Sequence, residues 1–193
     1  IGTGDGNIYF IDGDENSTGA IEPFEMTTFN MNSEIHSSAV IADVDGDGSY
    51  EIIVGANSGA IACLSYSPPA TVSLKWIDTL DGAIVSSPAV AGIMHDPVPW
   101  AFFCQNNMRT NFYPPTDTAL FVFVSTLNGK IYKISGINGE PTDSIRLGFH
   151  IHTSPVIADI DYDCEYELVI TVMIPSGDSI YCLGTDIYRK DCL

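Results

Sequence analysis

Positive charge is what this sequence has least of. Seven Lys and Arg stand against 25 Asp and Glu in 193 residues, a formal charge of -18. So acidic a chain has no basic face with which to neutralise phosphates, which argues against nucleic acid and anionic membranes as partners. Long apolar runs are missing as well. Nowhere do about 18 residues pass without a polar interruption, so neither a membrane-spanning helix nor a signal peptide is predicted. No long segment carries a helical apolar period. Motifs for catalysis are scarce too. There is no GxSxG, HExxH or phosphate loop, and "GTGDGN" has Asn7 where a dinucleotide site needs its third glycine. None of the cysteines at 63, 104, 164, 182 and 192 forms CxxC, which excludes zinc-ribbon, thioredoxin and haem-attachment readings.

What remains is a chain built to fold. It is 45% hydrophobic and 17% charged, the balance of a globular domain with a sizeable core. It opens at Ile1 inside a predicted strand, and reads as a processed product or a fragment. An odd cysteine count leaves one thiol unpaired or paired to another chain. Cys182 and Cys192 are close enough in sequence to bridge a terminal loop. Asn16 opens the glycosylation sequon "NST".

A repeat organises the sequence. "EIHSSAVIAD" from Glu34, "AIVSSPAVAG" from Ala83 and "HIHTSPVIAD" from His150 share a small-residue pair before an apolar run. Equivalent pairs are spaced 49 and 67 residues apart. A second element recurs four times: "GDGNIYFID", "NSGAIACLS", "LNGKIYKIS" and "SGDSIYCLG". These segments read as short strands, with Asp-Gly and Asn-Gly at hairpin turns. Their apolar residues fall on both faces, as in a sheet covered on two sides. Four-stranded units of this length predict β-propeller blades: an all-β fold of antiparallel blades in an incomplete ring or a piece of a larger one. The units are a partial blade at 1–33, a blade at 34–82, a blade at 83–149 and a partial blade at 150–193. The third carries an insertion at about 92–118, rich in aromatics and proline. It is either a recognition loop or a hairpin packed on its own blade. Open blade edges invite pairing with other copies of the chain.

Within "IADVDGDGSYEIIVG", Asp43, Asp45 and Asp47 alternate, Gly46 and Gly48 permit a curl, and Glu51 closes from the far side. Crowded carboxylates repel one another unless a cation sits among them. Calcium, which takes six to eight oxygens in a flexible shell, suits this spacing. An EF-hand is excluded because its twelfth position would hold Val54. His36 and His152 occupy equivalent repeat positions and His150 shares a strand face with His152. A transition-metal site at a central channel is conceivable there, but repeat inheritance and packing account for all three.

"DVDGDGSYEIIVG" resembles the calcium loop of FG-GAP repeats, the family of the integrin α-subunit propeller and of many secreted or surface proteins. "GTGDGNIYFIDG" is similar to the quinoprotein-type propeller repeat. The resemblance covers nearly the whole chain outside 92–118. It implies side-chain calcium ligation by Asp43, Asp45, Asp47 and Glu51, with a backbone carbonyl from Ser49. A weaker second loop, "DIDYDCEYE", sets Asp159, Asp161, Asp163 and Glu167 in the same register, with Glu165 in the place of Ser49. There Tyr162 and Cys164 replace the two glycines, and a Cys at a positive-φ position is strained. The expectation is an extracellular or cell-surface, calcium-stabilised propeller scaffold, non-catalytic, for adhesion, protein or glycan binding, or filament assembly. The alternative is a fragment of a quinoprotein-like or polysaccharide-active propeller enzyme.

Overall fold

The structure is a computed structural model that describes residues 1–11, 26–67, 71–92, 120–160, 166–174 and 177–184. The described residues are all-β and form four antiparallel sheets. The first sheet pairs β1 (Asn7–Ile11) with β2 (Met26–Asn30). The second runs β3 (Val40–Ala42), β4 (Glu51–Gly55), β5 (Ala60–Ser67), β6 (Thr71–Thr79) in spatial order. The third repeats that meander with β7 (Ala89–Gly92), β8 (Leu120–Ser125), β9 (Lys130–Ser135) and β10 (Pro141–Arg146). The fourth holds β11 (Val156–Ala158), β12 (Glu167–Ile174) and β13 (Gly177–Gly184). Among the described residues each strand pairs only within its own sheet. No helix among the described residues is long and apolar enough to cross a membrane.

β-branched and aromatic residues dominate the central strands, as a pleated surface packed on both faces requires. The repeated turn follows from glycine. Gly59 and Gly129 have φ of +90° and +86°, which an L side chain rarely adopts. Each closes a tight hairpin: the Gly59 N–H donates to the Ala56 carbonyl and the Gly129 N–H to the Thr126 carbonyl, both at 3.0 Å.

The core lies in three seams between successive sheets. Ile8, Met31 and Ile35 pack against Val54, Ala62 and Leu64 at the first. Val44, Ile53, Cys63 and Trp76 meet Ile84, Val122, Val124 and Ile134 at the second. Phe123 and Ile131 meet Ile151, Leu168, Ile170 and Leu183 at the third. Each sheet therefore depends on its neighbour for burial. The second seam is also keyed by polar contacts. The Trp76 indole N–H donates to the Gly136 carbonyl at 2.8 Å, and its ring lies where a Cβ on Gly139 would stand.

The small-residue pairs precede the strands rather than belonging to them. Ser37 Oγ donates to the Gly55 carbonyl at 2.7 Å. The Ser38 N–H donates to Ser87 Oγ, and the Ser87 N–H to Ser154 Oγ, each at 3.0 Å. The repeat thus conveys a chain of hydroxyls that links the second, third and fourth sheets just ahead of their first strands. The insertion beyond Gly92, Asn16, Cys104, Cys164 and Cys192 lie outside the described residues. Cys182 is disulfide-bonded, and Cys63 is a free, buried thiol.

Candidate metal centre

The loop between β3 and β4 is folded by its own carboxylates. Gly46 and Gly48 have φ of +76° and +88°, so the backbone curls around Asp43. Asp43 accepts from the Gly46 N–H through Oδ1 at 2.8 Å and from the Gly48 N–H through Oδ2 at 3.0 Å. Asp45 accepts from the Asp47 N–H at 3.3 Å, and Asp47 from the Ser49 N–H at 2.7 Å. That last bond holds the Asp47 carboxyl below the usual carboxylate range.

Glu51 anchors the loop from below. It is fully buried, and its Oε2 accepts from the Val44 N–H at 3.0 Å. This bond aims Val44 into the second seam, where Val44 is buried against the following sheet beside Gly136. The acidic loop and the inter-sheet core are therefore one mechanical unit.

The structure brings together Asp43, Asp45 and Glu51, whose candidate ligand oxygens lie within 4.8 Å of one another. A hard cation with oxygens at about 2.3–2.6 Å needs ligand atoms no more than about 5 Å apart. An all-carboxylate donor set suits such an ion. Asp47 sits at the rim, its side chain 51% exposed. Ser49 is exposed, and it meets the loop as a donor to Asp47, through its N–H and its side chain.

A side chain the sequence motif does not include stands among these carboxylates. Lys75 Nζ lies 2.6 Å from Asp45 Oδ2, 2.7 Å from Glu51 Oε1 and 3.5 Å from Asp47 Oδ2. It comes from β6, two strands away from β4. On β5, Cys63 pairs with Trp76 and Leu64 with Leu74, so Lys75 is the extra residue of a β-bulge. Burial alone pushes its ammonium down, but the bonds to Asp45 and Glu51 outweigh that and hold it above the usual lysine range. The available signal was one of only seven basic residues placed inside the apolar strand "VSLKWIDTL".

In the second acidic loop, Asp161, Asp163 and Glu165 lie outside the described residues. The described part keeps the anchor: Glu167 is buried and accepts from the Ile160 N–H at 2.8 Å, as Glu51 does from Val44. His36 and His150 are engaged elsewhere. His36 Nε2 lies 3.2 Å from Glu34 Oε2, and His150 Nδ1 lies 2.8 Å from the Leu127 carbonyl. The His150 and His152 rings are 6.4 Å apart. Among the described residues the acidic loop is the cluster with metal-ligating geometry.

The sequence matches no protein-family model and no curated protein. Its fold, by contrast, is similar to solved propellers. BamB from Moraxella catarrhalis superposes at TM-score 0.54 and 15% identity, over 86% of this chain and 38% of that one. BBS1N, solved in complex with ARL6DN, superposes at TM-score 0.51 and 14% identity, over 100% of this chain and 46% of that one. The chain thus spans less than half the length of either. At such identity the likeness establishes the β-propeller-type fold, in agreement with the four sheets.

Proposed function

We propose that the chain is part of a calcium-stabilised β-propeller scaffold that works outside the cell or at its surface, presenting loops to a protein or glycan partner without catalysis. The observation that carries this reading is the convergence of Asp43, Asp45 and Glu51 on a glycine-curled loop braced against an inter-sheet seam. A cation there neutralises the carboxylates and keeps Val44 seated, so its role is structural. Extracellular modules bind calcium at roughly 10⁻⁴ to 10⁻³ M, so such a site fills outside cells and empties in the cytosol. The likeness to BBS1N, solved with a protein bound, favours a protein partner, and the excess of acidic residues favours a partner with a basic face. Calorimetric calcium titration, with thermal melting in calcium and in chelator, tests the reading. Binding with a raised midpoint, lost in Asp45→Ala, is the expected result. A folded sample whose melting ignores calcium overturns it.

A further inference from the structure

The position of Lys75 bears on how the acidic loop works. The carboxylates that the loop offers to a metal already surround a cation, and that cation is covalently part of the chain. The Lys75 ammonium reaches Asp45 at 2.6 Å and Glu51 at 2.7 Å, two of the three residues whose oxygens converge as candidate ligands. A dication bonded to the carboxylates of Asp45 and Glu51 at about 2.3–2.6 Å would sit beside an ammonium in hydrogen-bond contact with both, and like charges repel strongly at that range. The two cations are alternatives.

The side chain is placed to leave as well as to stay. Lys75 is the bulged residue of β6, the outer strand of its sheet, and its side chain is 27% exposed. Its four-carbon stem carries a mobile point charge with no fixed planar geometry. Swinging outward moves the ammonium into water without breaking the strand ladder, because a bulged residue stands outside that ladder. Asp43 is differently placed. Both of its oxygens accept loop N–H groups, so the curl persists whichever cation is present.

We propose that Lys75 is the resident cation of the acidic loop, and that a divalent cation binds there only by expelling it. The ammonium then acts as a tethered competitor. It keeps the loop folded and Val44 seated when metal is scarce, and raises the metal concentration needed to load the site. This inference rests on the metal reading above but fails separately from it.

The test uses calcium chloride as the probe, on the chain as it stands and on Lys75→Met, which keeps the length of the apolar stem and removes the charged end. Calorimetry should show calcium binding at least about tenfold tighter in Lys75→Met, equivalent to about 1.4 kcal/mol. Lys75→Met should also gain more in melting temperature from calcium than the parent chain. A second readout needs no variant. Acylation of Lys75 by an amine-reactive ester, followed by peptide mass spectrometry, should be slow in chelator and faster in saturating calcium. Equal affinity in the two proteins, or Lys75 equally protected with calcium bound, overturns the competition while leaving the metal site intact. Calcium binding to neither protein overturns both proposals.

Discussion

Replacing Glu51 with glutamine tests the link between the acidic loop and the core. Glu51 is fully buried and serves two donors with two oxygens: the Val44 N–H at 3.0 Å and the Lys75 ammonium at 2.7 Å. Glutamine fills the same volume but has one oxygen. In either amide orientation an NH₂ group faces a donor, at Lys75 or at Val44. A hydrogen bond to a charged group contributes about 1.5–3 kcal/mol net. Removing one partner of a wholly buried ion pair costs about 3–5 kcal/mol. Lys75 keeps Asp45 and is partly in water, so the lower range applies and the expected loss is about 2 kcal/mol. For a domain of this size each kcal/mol lowers the midpoint by about 2–4 °C, so Glu51→Gln should melt about 4–8 °C lower. The assay is thermal melting by circular dichroism in chelator, where calcium plays no part. The deficit should largely persist in 1 M salt, because a buried pair is poorly screened. A variant that melts within 1 °C of the parent in chelator would show that Glu51 does not hold Val44 in the seam.

Two further outcomes follow from residues at the same seam. Burial pushes the Cys63 thiol up to about 12 from 9.0, so the folded state holds its proton where the unfolded chain releases it. The associated stability is complete below about pH 9 and declines up to pH 12, by at most about 1.4 kcal/mol per pH unit. Urea unfolding at pH 8 and pH 10 should show a steeper decline in the parent than in Cys63→Ala, and equal slopes would contradict the assignment. At Gly55, an added Cβ would stand 2.2 Å from Ile84 Cγ2 across the seam. Gly55→Ala should therefore lose about 1–3 kcal/mol through overpacking, measured by chemical denaturation, and an unchanged midpoint would mean that the sheets can part freely.

The fold was legible because its signals are local. Paired apolar runs, turn glycines such as Gly59 and Gly129, and recurrence along the chain each record one hairpin. The pairing of Asp43 and Asp45 with Glu51 was legible for the same reason, since one loop contains all three. Lys75 was not. It lies 24 residues from Glu51 and reaches the site through a bulge, and no spacing rule records a bulge. The serine pairs were seen as a repeat, but their role was not. A hydroxyl that accepts from the sheet 49 or 67 residues earlier leaves no periodic trace within one unit. His36 and His152 show the converse: equivalent repeat positions need not share a ligand, since His36 instead faces Glu34.

The hydroxyl chain through Ser38, Ser87 and Ser154 makes the sheets behave like cars coupled in a train. Each coupling is the same backbone N–H reaching one hydroxyl of the next unit, and each apolar seam is likewise shared by two neighbours only. Stability in such an array is a sum over units and couplings. The second and third sheets are clasped on both sides, whereas within this stretch the first and fourth are clasped on one. Loosening of one sheet therefore reaches the next only through the coupling they share. The acidic loop, sitting on the middle seam through Val44, governs how firmly the second and third sheets stay coupled.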